Sequence, residues 1–258
     1  MQSSERHKKI LELVKVQGTV SVEQLSSEFD ISVQTIRADL RDLDRDRKLI
    51  RFHGGARTVD GRENLEYESR RQIAASEKVA IGKAAAALIP NNASLFVNIG
   101  TTTEAVSDAL VEHQDLLVIT NNINVANNLR LYKGIEVVIA GGAVRSTDGA
   151  IVGETAVDFI NQFKVDYAII GSSALDQDGG LLDFDIREVK VAQAIIENAR
   201  NVILVADSSK FGRAAPVRIG HLSQVDIFVT DKVPSENVRN ICRDADVELI
   251  EVALRTGS

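Results

Sequence analysis

The chain has 258 residues, of which 44% are apolar and 26% charged, and carries a formal net charge of −7. That is too long for one small module and too acidic overall for a protein that coats nucleic acid along its whole surface. Its single cysteine, Cys242, excludes an intramolecular disulfide framework and a cysteine-rich zinc site. The absence of a membrane-length apolar run or a signal-peptide core predicts a cytoplasmic protein.

Charge is unevenly placed. Through Thr58 there are 11 basic and 9 acidic residues, and beyond it 19 basic and 28 acidic. A weakly basic head on an acidic body confines DNA contact to the N-terminus, and a head so modestly charged predicts pairing in a homodimer or homotetramer.

In the head, Ile10, Leu11 and Val14 recur at helical spacing over residues 6–17, and Val22, Leu25 and Phe29 do so over 22–29, with Gly18 between the two. Ser21 and Ser32 stand where a side-chain oxygen can cap a helix, and Asp30-Ile31 supplies the intervening turn. At about 100° per residue, Gln34, Arg37, Arg41 and Arg45 fall on one side of the helix predicted from Val33 to Arg45, and Ile36, Leu40 and Leu43 fall on the other. One face packs and the other can read DNA, which is the organisation of a helix-turn-helix.

Residues 48–52 then alternate loosely as a strand, and His53-Gly54-Gly55-Ala56-Arg57 reads as a flexible cationic turn able to lie along phosphates. The expectation is a winged helix-turn-helix over 1–58. Ser32, Gln34, Thr35, Arg37 and Arg41 would meet base edges or nearby phosphates, while Arg51, His53 and Arg57 would hold the DNA backbone. A merely solvated arginine face is the alternative, weighed down by the ordered succession of cap, turn, stripe and wing.

Residues 59–76 are polar, with Gly61 and only Leu65, Tyr67 and Ile73 to anchor them, and read as a linker. Over 77–258, strand-like runs at 95–99, 117–120, 137–140, 167–170, 202–206, 227–230 and 249–252 alternate with helical stretches at 77–88, 104–111, 123–131, 187–199 and 234–243. This alternation predicts an open, mainly parallel α/β sheet covered by helices, with ligands at the carboxyl ends of its strands.

Those ends are Gly100-Thr101-Thr102-Thr103, Thr120-Asn121-Asn122, Gly141-Gly142, Gly171-Ser172-Ser173 and Asp207-Ser208-Ser209-Lys210. Gly100 lets backbone approach an anion, the threonines add hydroxyls, and the following helix offers unpaired N–H groups. Lys210 could neutralise a phosphate, Asn121 and Asn122 could bond to hydroxyls, and Asp183, Asp185 and Glu188 could receive hydroxyl protons. The implied occupant is a small phosphorylated polyol, with no cofactor and no metal. Each loop taken singly is also ordinary turn punctuation.

Two other classes compete. An isomerase-like enzyme could draw its acid and base from Asp183, Asp185, Glu188 and Lys190, although none of His7, His53, His113 and His221 sits at a strand-end motif. A constitutive DNA-organising protein would use the second module only to oligomerise, and would need no coordinated anion donors at the strand ends.

Arg6, Ile10, Leu25, Phe29, Ser32, Thr35-Ile36-Arg37, Asp39-Leu40, Leu43 and His53-Gly54-Gly55-Ala56 together resemble the signature of the DeoR family of bacterial sugar-phosphate-responsive repressors. The likeness continues through NIGTT at 98–102, TNNINVANNL at 120–129, GETAVDFINQF at 153–163 and DSSKFGR at 207–213, and departs at Ala38, where many members carry a second arginine. It implies a transcriptional repressor of a carbon-metabolism operon rather than an enzyme. Its second domain would have the sugar-phosphate isomerase and deaminase fold, with the NIGTT loop gripping phosphate. The partners implied are double-stranded operator DNA and an effector, for which the long matches point to glycerol 3-phosphate, that relieves repression.

Overall fold

The computed structural model describes residues 3–17, 19–46, 48–52, 54–58 and 67–253, which fall into two compact units, Met1–Ser69 and Arg70–Ser258. Gly18, His53, Gly61 and Leu65, given roles above, lie outside the described residues.

The first unit runs α1 (Ser3–Gln17), β1 (Thr19–Ser21), α2 (Val22–Phe29), α3 (Val33–Arg45), β2 (Leu49–Phe52) and β3 (Gly55–Thr58). The helices form where periodicity and caps place them. Ser21 Oγ accepts from the Gln24 amide at 3.0 Å and Ser32 Oγ from the Thr35 amide at 3.2 Å. Asp30 ends α2 in the left-handed conformation, φ 51°, which a short polar side chain tolerates better than most, and its amide bonds to the Ser26 carbonyl. Ile10, Val14, Val22, Leu25, Ile36, Leu40, Leu43, Leu49 and Ala56 form the core.

The wing differs from its sequence reading. Gly55-Ala56-Arg57 is not a flexible turn: it belongs to β3, the centre of a three-stranded antiparallel sheet ordered β1-β3-β2. Ala56 is fully buried and β3 has a neighbour on both sides, so tertiary pairing overrides the turn tendency of the glycines; among the described residues only Gly54, φ 92°, keeps a turn conformation there.

The second unit is built around α5 (Ala75–Ala86), β4 (Ser94–Val97), α6 (Thr101–Ala109), β5 (Leu116–Thr120), α7 (Ile123–Leu129), β6 (Ile135–Ile139), β9 (Val165–Ile170), α9 (Ile186–Glu197), β12 (Ala199–Val205), β14 (Ile227–Thr230), α10 (Glu236–Asp244) and β15 (Glu248–Glu251). Its seven strands form one parallel sheet ordered β15-β14-β12-β9-β4-β5-β6. One apolar layer joins the sheet to Ile81, Val106, Val125 and Leu129 of α5, α6 and α7. The other joins it to Val189, Ile195, Val238 and Cys242 of α9 and α10, so the lone cysteine is a packing residue. Among the described residues no helix is long and apolar enough to cross a membrane.

Several smaller elements escaped the periodicity. Strands β7 (Ala143–Val144) and β8 (Ile151–Val152) make a hairpin leading into α8 (Glu154–Ile160), and β10 (Ala174–Leu175), β11 (Gly180–Asp183) and β13 (Val217–His221) form a separate antiparallel sheet. Residues 67–76, read as linker, carry α4 (Tyr67–Gln72) and the start of α5. Lys78 explains part of this, because its buried ammonium donates to the carbonyls of Arg70 and, at 2.5 Å, Ile73, tying down the end of α4.

The order of the strands fixes where a ligand can bind. The chain lays β5 and β6 to one side of β4, then returns to place β9, β12, β14 and β15 on the other. The connections after β4 and β9 therefore leave in opposite directions, opening a crevice at the carboxyl ends of those two strands.

Candidate functional site

In the first unit the face expected to meet DNA lies on α3. Gln34, Arg37 and Arg41 are exposed, Thr35 is half-buried, and Ile36, Leu40 and Leu43 fill the core beneath. The Ser32 and Thr35 hydroxyls lie 2.9 Å apart, so both also serve the cap. Asp39, on the inner side, receives Arg6 Nε at 2.5 Å and Nη2 at 2.9 Å and lies 3.0 Å from His7 Nε2, which ties α3 to α1 by a buried ion pair. Arg51 is exposed on β2 with its amide bonded to Asp44 Oδ1 at 3.2 Å. Arg57 occupies β3 and its side chain, like His53, lies outside the described residues; Ala38 is half-buried.

In the second unit the crevice is a pocket lined by Ile99, Gly100, Thr101, Thr102, Thr103, Gly171, Ser172, Ser173, Asp183, Glu188, Val205, Lys210 and Arg70. Gly100, with φ 140°, turns the chain into α6, and the amides of Thr101, Thr102 and Thr103 meet no described acceptor. An anion set before this first turn meets converging N–H groups and the positive end of the helix. Gly82 helps to place α6: a Cβ there would lie 2.6 Å from the Ala105 carbonyl carbon, so only glycine lets α5 approach so closely.

Lys210 is the centre of the electrostatics. It is 8% exposed and makes no hydrogen bond or ion pair to a described residue. Burial pulls it down to about 8, opposed by the attraction of Asp207 and reinforced by repulsion from Arg213, Lys78 and Arg70. Burial likewise lowers Lys78 and Arg213, each partly offset by Asp207. Three cations thus share the field of one buried carboxylate, with Arg70 adding its repulsion, an arrangement that attracts a further anion.

The polar wall is different in kind. Burial, then repulsion from Asp183, pushes Glu188 up to about 8 despite Arg145 Nη1 at 2.8 Å. Arg145 holds Asp148 with Nε at 2.8 Å and Nη2 at 2.6 Å, and reaches Asp185 at 3.4 Å. Burial opposes ionisation of Asp148, yet Arg145 keeps its carboxyl below the ordinary value. A carboxyl near its titration point beside a carboxylate can both donate to and accept from hydroxyl groups.

The pocket brings together Gly100, Thr101, Thr102, Thr103, Asp183, Glu188 and Lys210, but not Asn121, Asn122, Gly141, Gly142 or Asp185. The β7–β8 hairpin accounts for Asn121 and Gly142. Asn121 Nδ2 bonds to the Ile151 carbonyl, Asn122 caps α7 and donates to Glu104, and a Cβ at Gly142 would stand 3.0 Å from Ile151 Cγ2. Gly141 sits beside them after β6. Asp185 caps α9 and holds Arg187. Within the pocket, the Thr103 hydroxyl donates to the carbonyls of Asn98 and Gly100, so it shapes the turn rather than offering a proton. Sequence reasoning missed Arg70, Lys78, Arg145, Asp148 and Arg213. Lys78 falls on the same helical face as Ile81, Gly82 and Ala85, which was a usable signal for it; Arg70 had none.

The model of the DeoR-like helix-turn-helix domain matches residues 6–62, and that of the DeoR C terminal sensor domain matches residues 73–232. The glycerol-3-phosphate regulon repressor of Escherichia coli is 45% identical over 96% of this chain and 99% of its own length. That of Haemophilus influenzae is 46% identical over 97% of each chain. The E. coli HTH-type transcriptional repressor CsqR is 36% identical over 95% of this chain and 94% of its own.

Proposed function

The chain belongs to the DeoR family, and on that premise we propose that it represses a carbon-metabolism operon and releases its operator when a small phosphorylated polyol, glycerol 3-phosphate, enters the pocket. The observation that carries this reading is Lys210, a buried cation without a hydrogen-bonding partner among the described residues, lining the same pocket as the first turn of α6. A phosphate dianion satisfies both at once. Asp183 and Glu188, on the same wall, are suited to the glycerol hydroxyls.

On the DNA side, paired α3 helices from a homodimer or homotetramer would enter successive major grooves, with Gln34, Arg37 and Arg41 at base edges or phosphates and Ser32 and Thr35 at the backbone. Arg51, His53 and Arg57 would extend the grip through the wing. Pairing offsets the small charge of one head. A protein reading operators in this way works in the cytoplasm, and its pocket binds without turnover, glycerol 3-phosphate having no carbonyl to isomerise.

The test is release of labelled operator DNA by a panel of glycerol 3-phosphate, fructose 1-phosphate and deoxyribose 5-phosphate. Selective release by glycerol 3-phosphate is the expected result. Indifference to all three would overturn the effector reading, and interconversion of aldose and ketose phosphates by the pure protein would restore the enzyme.

A further inference from the structure

The geometry points to Arg70 as the residue that couples the pocket to DNA release: its guanidinium belongs either to Asp148 or to a bound phosphate, and helix α4 follows it. This rests on the effector reading above and names the regulation of that same site.

Three observations converge on Arg70. It lines the pocket beside Thr101, Thr102 and Lys210. It lies on α4, Tyr67–Gln72, the helix that spans the division between the DNA-binding unit, Met1–Ser69, and the sensor unit, Arg70–Ser258. Its side chain also meets a carboxylate that does not depend on it. Asp148 already receives two short, charge-assisted bonds from Arg145, at 2.8 and 2.6 Å, and Arg70 Nη2 joins as a longer third contact at 3.2 Å.

The exchange follows from charge. With the pocket empty, Arg70, Lys210 and Arg213 repel one another, and Asp148 holds Arg70 to one side. A phosphate before α6 screens that repulsion and offers the guanidinium two oxygens in place of one shared carboxylate oxygen, while Asp148 keeps Arg145. The carbonyl of Arg70 is held by the buried ammonium of Lys78, which fixes one point of α4, so a pull on the side chain turns the helix about that anchor rather than displacing its end. The pocket thereby biases the one described helix through which the chain enters the sensor unit.

The experiment uses the full chain, an operator fragment that the protein itself selects from a random-sequence pool, and glycerol 3-phosphate as probe. Calorimetry gives the effector Kd, and anisotropy gives the operator Kd without and with saturating effector; their ratio is the coupling. Arg70→Gln is expected to bind glycerol 3-phosphate up to about a hundredfold more weakly while its coupling ratio at saturation falls to near one. A wild-type ratio at saturation overturns the inference alone, and loss of effector binding beyond a hundredfold overturns it too, by reducing Arg70 to a simple ligand. If the wild-type chain binds no glycerol 3-phosphate, the effector reading and this inference fall together. Should Arg70→Gln not fold, Asp148→Asn decides: loosening Arg70 is expected to weaken operator binding several-fold without effector, and an unchanged operator Kd refutes the mechanism.

Discussion

Replacing Lys210 by methionine keeps most of the side-chain volume and removes a buried charge, so stability and ligand binding should move in opposite directions. Burial lowers the Lys210 pKa from 10.5 to about 8. At 1.36 kcal/mol per unit, holding the amine protonated at neutral pH costs the native state on the order of 3 kcal/mol. The sign is that of a depressed base: the unfolded chain binds the proton more tightly, so the penalty is fully present below pH 8 and fades as pH rises toward 10.5. Lys210→Met removes it, and a unit of this size should gain roughly 5–10 °C in Tm without ligand.

Ligand binding carries the opposite sign. Losing one charge-assisted hydrogen bond costs roughly 1.5–3 kcal/mol, a roughly 10- to 150-fold weaker Kd. At a concentration one hundred times the wild-type Kd, glycerol 3-phosphate stabilises the wild-type chain by about 2.7 kcal/mol, but a variant weakened a hundredfold by only about 0.4 kcal/mol. Calorimetric melts with and without the ligand give both numbers. Repeating them upward through pH 8 adds a control, because both proteins lose affinity as Glu188 ionises in the pocket and wild type alone also loses the Lys210 charge, so its affinity should fall more steeply. A variant that melts lower than wild type without ligand, or binds as tightly, refutes the assignment of Lys210 as an unpaired cation awaiting phosphate.

Arg37→Ala should leave the melt unchanged, since the side chain is exposed, and cost about 1–3 kcal/mol of specific binding, read as anisotropy against operator and scrambled DNA. Asp39→Asn removes the negative charge that pairs with the guanidinium of Arg6, whose side chain is 10% exposed. It should destabilise the DNA-binding unit by about 3–5 kcal/mol in a circular-dichroism melt. Gly82→Ala drives a methyl against the Ala105 carbonyl. It should lower the sensor unit's stability by about 1–3 kcal/mol and weaken glycerol 3-phosphate binding, because α6 must retreat and it carries Thr101 and Thr102; unchanged effector affinity would separate α6 placement from the site.

Helix α3 was legible almost residue by residue. A helix one turn deep in contact is patterned by its own neighbours, so caps at Ser21 and Ser32 and the split between Arg37 and Leu40 follow from local spacing. The seven parallel strands were legible for the same reason, as apolar runs of sheet length. The two-residue strands β7, β8 and β10 were not, because a pattern of period two needs more residues than they have.

The pocket divides along the same line. Gly100, Thr101, Thr102 and Lys210 stood out because sequence alone determines that small residues and a cation follow parallel strands, and parallel strands present their ends together. Which ends face one another was decided by the order β12-β9-β4-β5-β6 and by the β7–β8 hairpin folded against Asn121 and Asn122. Arg70, Lys78, Arg145 and Arg213 came into view only in three dimensions. Electrostatic energy depends on distance through space, and residues far apart along the chain interact only when the fold brings them close to one another.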